Sequence, residues 1–115
     1  VTTPERFKAI SLWEPWASLI ALGLKQVETR DWHTSHRGVL LVHAAKRWRP
    51  DQLAAMSNLA TTFPATVGRL LRVAPGAGVV ACAWLEDVRV MSAAWCEEQT
   101  PLERAVGAWQ VGRVG

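Results

Sequence analysis

The chain has 115 residues, half of them hydrophobic, and a formal net charge of +3. That length suits one domain with a single core, and so modest a positive charge excludes a histone-like polycation. No apolar stretch approaches a membrane span and no N-terminal signal pattern is visible, so an intracellular, cytoplasmic protein without a membrane partner is expected.

Arg6 to Ile10 reads as a first short strand, with Phe7 and Ala9 alternating against Arg6 and Lys8. Trp16, Leu19 and Ile20 then recur at i, i+3 and i+4 behind Pro15, which predicts a helix over 15–22 with one apolar face. Glu14 stands at the positive end of that helix and Gly23 offers its left-handed stop. Residues 25–30 alternate in character and predict a strand over about 26–31, with Glu28 and Arg30 on one face and Val27 and Thr29 on the other. A loop over 32–38 leads through Arg37-Gly38 into the apolar run Val39 to Ala45, read as a buried strand. Lys46-Arg47-Trp48-Arg49 follows as a basic knot around an aromatic ring.

Helices are predicted from Asp51 to about Leu59 and from Pro64 to Val73, followed by a turn at 75–78. Val79 to Leu85 is a second strongly apolar strand, continued past a bend by Glu86 to Met91. Thr100-Pro101-Leu102-Glu103 has the form of a capping box and starts a helix that runs to about Val106. Short strands broken by short helices, without regular β-α alternation, predict an α+β fold: a small, partly open β-barrel with short flanking helices.

The two cysteines, Cys82 and Cys96, have neither metal-ligand spacing nor the look of a disulfide framework. His33 and His36 lack a third ligand at useful spacing, so no metal and no cofactor is expected. The basic residues are mainly arginine, which forks onto phosphate and stacks on bases. Seven tryptophans in so short a chain are unusual; some must be core, and the structural alternative is that most of them do only that.

The densest chemistry lies in residues 11–38, where Lys25, Glu28, Arg30, Trp16, Trp32 and Arg37 fall close together. As phosphate binders Lys25, Arg30 and Arg37 stay charged, Trp32 stacks on a base, and Glu28 reads a base edge. As a catalyst Lys25 needs burial or a neighbouring cation such as Arg30 to release its proton. The structural alternatives are a solvated lysine at a helix end, a Glu28–Arg30 ion pair bracing the barrel, and a Trp16 spent on the core. Trp48, Arg47 and Lys46 form a second basic and aromatic patch, and His43 is a strand histidine of the core or the cleft. The arrangement requires Lys25 and Arg30 to share one concavity beside an indole wall.

These residues carry a resemblance. Pro15, Trp16, Ala17, Leu19, Gly23, Lys25, Glu28, Arg30, Trp32, Thr34, Arg37 and Gly38 match, without a gap, the pattern of the ASCH domain, a member of the PUA-like superfamily. The resemblance implies a single PUA-like domain over 1–115 with a cleft between the first helix and the strands. It also implies RNA, single-stranded nucleic acid or a modified nucleoside as partner. Some ASCH-type proteins remove the acetyl group from N4-acetylcytidine, others are described as ribonucleases, and others only bind nucleic acid. In the amidohydrolases a threonine resembles the Glu28 position, and a glutamate shortly before the late helix corresponds to Glu97 or Glu98. The family's glutamine before Pro15 is Glu14 here, and members generally continue beyond Gly-Arg-Val-Gly, so a closing C-terminal strand is expected to be missing.

The leading expectation is a nucleic-acid-binding domain that recognises single-stranded or modified RNA through Trp16, Lys25, Arg30, Trp32, Arg37, His43, Lys46 and Arg47. The alternatives are a small hydrolase acting through Lys25, Glu28 and Glu98, with a divalent metal only in the ribonuclease form, and a regulatory module acting through protein contacts.

Overall fold

The apolar runs become β1 (Lys8–Leu12), β2 (Gly38–Ala44) and β3 (Gly78–Leu85), and the sequence between and after them becomes α1 (Trp16–Ala21), α2 (Pro50–Thr62), α3 (Pro64–Arg72), α4 (Ala93–Glu97) and α5 (Pro101–Val106). The structure, a computed structural model, describes residues 7–46, 49–72, 78–107, 112, 114 and 115. The three strands lie in the order β1-β2-β3, with β1 parallel and β3 antiparallel to β2. Ile10 sits opposite Val42 and Val42 opposite Ala81, and a register shift follows between Val42 and His43.

The α+β class is as the sequence predicts. The barrel is not: among the described residues no ladder joins β3 back to β1, and the sheet is open. The strand expected over 26–31 is reduced to a bridge between Arg30 and Val114. Its backbone groups are taken by side chains instead. The Glu103 carboxylate accepts from the N–H groups of Gln26 (2.7 Å) and Val27 (3.2 Å), and the Glu28 carboxylate accepts from Thr29 N–H. The Lys25 ammonium donates to the Val27 carbonyl. With those groups satisfied, no ladder is needed to keep them from being buried unpaired.

The strand expected over 86–91 also fails to form beyond Leu85. Asp87 takes the N–H of Val88, Arg89 exchanges backbone hydrogen bonds with Gly115, and Val90 bridges Val114. Val114 therefore stands between the 25–30 segment and the 89–91 segment. Residues 75–77 of the expected turn lie outside the described residues, and Gly78 opens β3 at φ +123.

Helix starts follow local chemistry. Pro15 precedes α1, and the buried Glu14 carboxylate accepts from Ser18 N–H (2.8 Å) and from the Ser18 hydroxyl, satisfying donors of the first turn. Gly23 adopts φ +74 just after α1, the left-handed geometry that a side chain resists. Gln52 is buried at the start of α2, its amide joining Arg49 N–H to the Glu14 carbonyl. The Ser92 hydroxyl caps α4, a helix the sequence reading missed, and the Thr100 hydroxyl caps α5.

Two apolar clusters hold these elements. Leu12, Ala17, Val42 and Ala44 join α1 to the sheet, and Leu19, Leu59, Leu70 and Val106 join α1 to α2, α3 and α5. Side chains such as Leu19 and Leu59, almost wholly removed from water, each contribute about 1.5–3 kcal/mol. Helix α1 belongs to both clusters and so fixes the segment that follows it. Among the described residues no helix is long and apolar enough to cross a membrane.

Candidate functional site

The segment after Gly23 is pinned from inside the fold. Lys25 is 2% exposed, and its ammonium lies 3.6 Å from a Glu103 carboxylate oxygen. Glu103 sits three residues after the Thr100 cap, and its backbone N–H bonds to the Thr100 hydroxyl. Its carboxylate crosses instead to Gln26, Val27 and Lys25, which ties α5 to the motif segment. The sequence offered Glu103 as a capping residue and not as the partner of Lys25. The available signal was its apolar neighbour Leu102, which marks a helix turned toward the core.

Beyond this anchor the segment borders two cavities. The larger, about 860 Å³, is walled by the inner face of the sheet and by Lys25, Glu28, Arg30, Trp32, Trp95 and Glu98. The smaller, about 450 Å³, is walled by Trp13, Trp16, Glu28, Arg30, Asp51 and Val106. Glu28 and Arg30 border both. Lys25 and Arg30 thus share a concavity, although the Lys25 head group is turned to Glu103.

Arg30 donates through Nη2 to the Ser11 carbonyl (2.9 Å), and its guanidinium carbon lies 6.0 Å from the Trp32 ring centroid. Its Nε is buried and has no hydrogen-bond partner among the described residues. Trp32 is 50% exposed. One Glu28 oxygen accepts from Thr29 N–H. No ion pair within 4.0 Å joins Glu28 to Arg30 among the described residues, so the brace considered from sequence does not form.

The other predicted residues are dispersed. Trp16 lies in the helical cluster, its indole N–H donating to the Val106 carbonyl (2.7 Å). Arg37 braces its own loop through the carbonyls of Thr34 and His36 and stands 3.9 Å from Asp87. His43 Nδ1 lies 3.3 Å from the Ser11 hydroxyl across β1 and β2, and His36 Nε2 lies 2.9 Å from the Val39 carbonyl. Lys46 is exposed just beyond β2, and Glu97 and Glu98 are exposed, Glu98 on the wall of the larger cavity. Arg47 and Trp48 lie outside the described residues. Among the described residues no group of three His, Cys, Asp or Glu side chains is placed to hold a metal.

Sequence reasoning missed several wall residues. Lys8, Trp84, Arg89 and Trp95 border the larger cavity, and the Arg89 guanidinium stands 5.6 Å from the Trp95 ring centroid. Arg89 also pairs with Asp87 at 2.7 Å. That hydrogen bond, with the N–H of Val88, holds the Asp87 carboxyl below the usual carboxylate range. Trp84, Arg89 and Trp95 are far from the motif in sequence, and only the fold brings them to it.

Comparison with known proteins gives the same frame. Over 64 residues the chain is 44% identical to activating signal cointegrator 1 of Homo sapiens, a match covering 55% of this chain and 10% of that protein. The Mus musculus protein of the same name matches to the same extent. The chain thus spans about a tenth of the length of these relatives. The family model of the ASCH domain matches residues 10–110, from within β1 to beyond α5 and so across both cavities, and on that extent the chain belongs to the ASCH domain family.

Proposed function

We propose that this ASCH domain binds single-stranded or modified RNA, with a phosphate on Arg30 and an unstacked base on Trp32. The observation that carries this reading is the half-exposed Trp32 ring with the Arg30 guanidinium beside it, both on the wall of the larger cavity. An indole so exposed adds little to the core. Against a base, the same ring contributes about 1–3 kcal/mol. Lys8 and Arg89 stand on the same wall among the acidic Glu28, Glu86, Asp87 and Glu98, and a volume of about 860 Å³ accommodates a nucleoside.

The reading is tested by fluorescence anisotropy with short labelled single-stranded RNA and DNA. Trp32→Ala is expected to weaken RNA binding roughly tenfold without lowering stability, and affinity is expected to fall steeply between about 50 and 200 mM salt. Binding indifferent to both changes overturns it. A hydrolase reading draws on Lys25, Glu28 and Glu98, which border the same cavity. In the structure the Lys25 head group is engaged by Glu103 and the Val27 carbonyl. Product from N4-acetylcytidine or single-stranded RNA, lost in Lys25→Ala, selects the hydrolase.

A further inference from the structure

The smaller cavity holds chemistry that the motif alone does not supply. Trp13, on the turn after β1, borders it and carries the Arg49 guanidinium 5.0 Å from its ring centroid. Asp51, exposed in the first turn of α2, adds a carboxylate that makes no hydrogen bond or ion pair with protein among the described residues. Glu28 brings a second carboxylate, whose Oε2 has no partner among the described residues. Arg30 brings the buried Nε–H that likewise lacks an acceptor. Indole surface, two carboxylates and one orphan donor therefore face a space of about 450 Å³.

The ligand that satisfies this wall is constrained. An ionised carboxylate only accepts, so the ligand must present N–H groups to Glu28 and Asp51. A buried donor without an acceptor is costly, so the ligand must also present an acceptor to Arg30. A flat ring suits the indole of Trp13. Adenine, cytosine and guanine carry an exocyclic amino group next to a ring acceptor or carbonyl. Uracil carries one imino N–H between two carbonyls and sets an oxygen against a carboxylate.

We propose that the smaller cavity is a base-reading pocket that takes an unpaired nucleobase bearing an exocyclic amino group and discriminates against uracil. The proposal rests on the RNA-binding reading above and gives that site its specificity. Arg30, common to both cavities, links the pocket to the phosphate position.

The test is anisotropy with labelled oligo(A), oligo(C) and oligo(U) at one salt concentration. Oligo(A) and oligo(C) are expected to bind about tenfold more tightly than oligo(U), the discrimination typical of a well-made polar contact to a base edge. Asp51→Asn and Glu28→Gln each turn an acceptor oxygen into a donor group and are expected to shrink that ratio. Trp13→Leu is expected to weaken oligo(A) roughly tenfold, with Trp13→Phe restoring part of it. Urea midpoints of each variant separate lost recognition from lost fold. Equal affinity for the three oligonucleotides, or a preference that survives both carboxylate substitutions, overturns the pocket. The broader reading survives that result if binding still depends on Trp32 and on salt. Failure to bind any of the three overturns both.

Discussion

Glu103→Ala tests whether the α5 carboxylate holds the motif segment in place. The substitution leaves the Lys25 ammonium buried without its carboxylate and removes the acceptor of two backbone N–H groups, those of Gln26 and Val27. Breaking a buried pair from one side costs about 3–5 kcal/mol, and an orphaned buried donor about 1–3 kcal/mol. The terms overlap because water and loop relaxation relieve some of each, so a net loss of about 4 kcal/mol is expected. That is a large share of the roughly 5–15 kcal/mol available to a domain. Glu103→Gln keeps one carbonyl acceptor for the N–H groups and is expected to lose less. Lys25→Met removes the charge but leaves Glu103 with its backbone donors, and is expected to fall between the two. In Lys25→Met/Glu103→Gln the stranded charge is gone, so the double variant is expected to be more stable than the sum of the single losses by about 1–3 kcal/mol. Urea denaturation of the four proteins measures each value. Glu103→Ala within about 1 kcal/mol of the native protein, or strict additivity in the cycle, refutes the reasoning.

Three further outcomes are expected. Glu14→Ala removes the acceptor of both Ser18 donors and should cost about 2 kcal/mol by urea denaturation, while Glu14→Gln keeps an acceptor and should cost about half that. Gly23→Ala has open space for its Cβ, so its cost of about 1 kcal/mol should come from the left-handed backbone alone, read as a lower midpoint at unchanged m-value. Arg89→Gln should raise the Asp87 carboxyl toward 3.8 in an NMR titration. Because the folded group titrates below its unfolded value, its contribution is present above that value and is lost as pH falls through the folded pKa.

The elements most legible in the sequence were those whose own residues decide them. Helix α5 was readable from Thr100, Pro101 and Glu103, and observed α5 runs Pro101–Val106. The apolar runs behind β2 and β3 were equally plain, since a chain of that hydropathy must be covered. Helix α4 escaped because it has five residues and only Ser92 to announce it. The strand over 26–31 was misread because hydrogen-bond partners are not written in alternation: a carboxylate more than seventy residues away took the N–H groups that a neighbouring strand would have used. Separations of more than fifty residues hid Trp84, Arg89 and Trp95 from the candidate site, while Glu28, Arg30 and Trp32 were visible because the motif spaces them within one segment.

That segment keeps one strand-like property without the ladder. Lys25 and Thr29 are buried, Gln26 is exposed, and Val27, Glu28 and Arg30 are half-buried. Period-two alternation therefore survives in part, at Lys25 against Gln26 and at Thr29 against Glu28 and Arg30, since it follows from a run of side chains set on opposite sides and not from who bonds the backbone. Its consequence is a division of work along G-L-K-Q-V-E-T-R. The odd positions belong to the fold, with Lys25 as the charged member of that set because Glu103 is waiting for it. Among the even positions, Glu28 and Arg30 border both cavities. Substitutions at 28 and 30 should therefore change what binds at little cost in stability, and those at 25 and 29 should change stability before they change what binds. A motif lysine whose loss lowers the urea midpoint and the affinity together is, on this reasoning, acting through the geometry of Glu28 and Arg30.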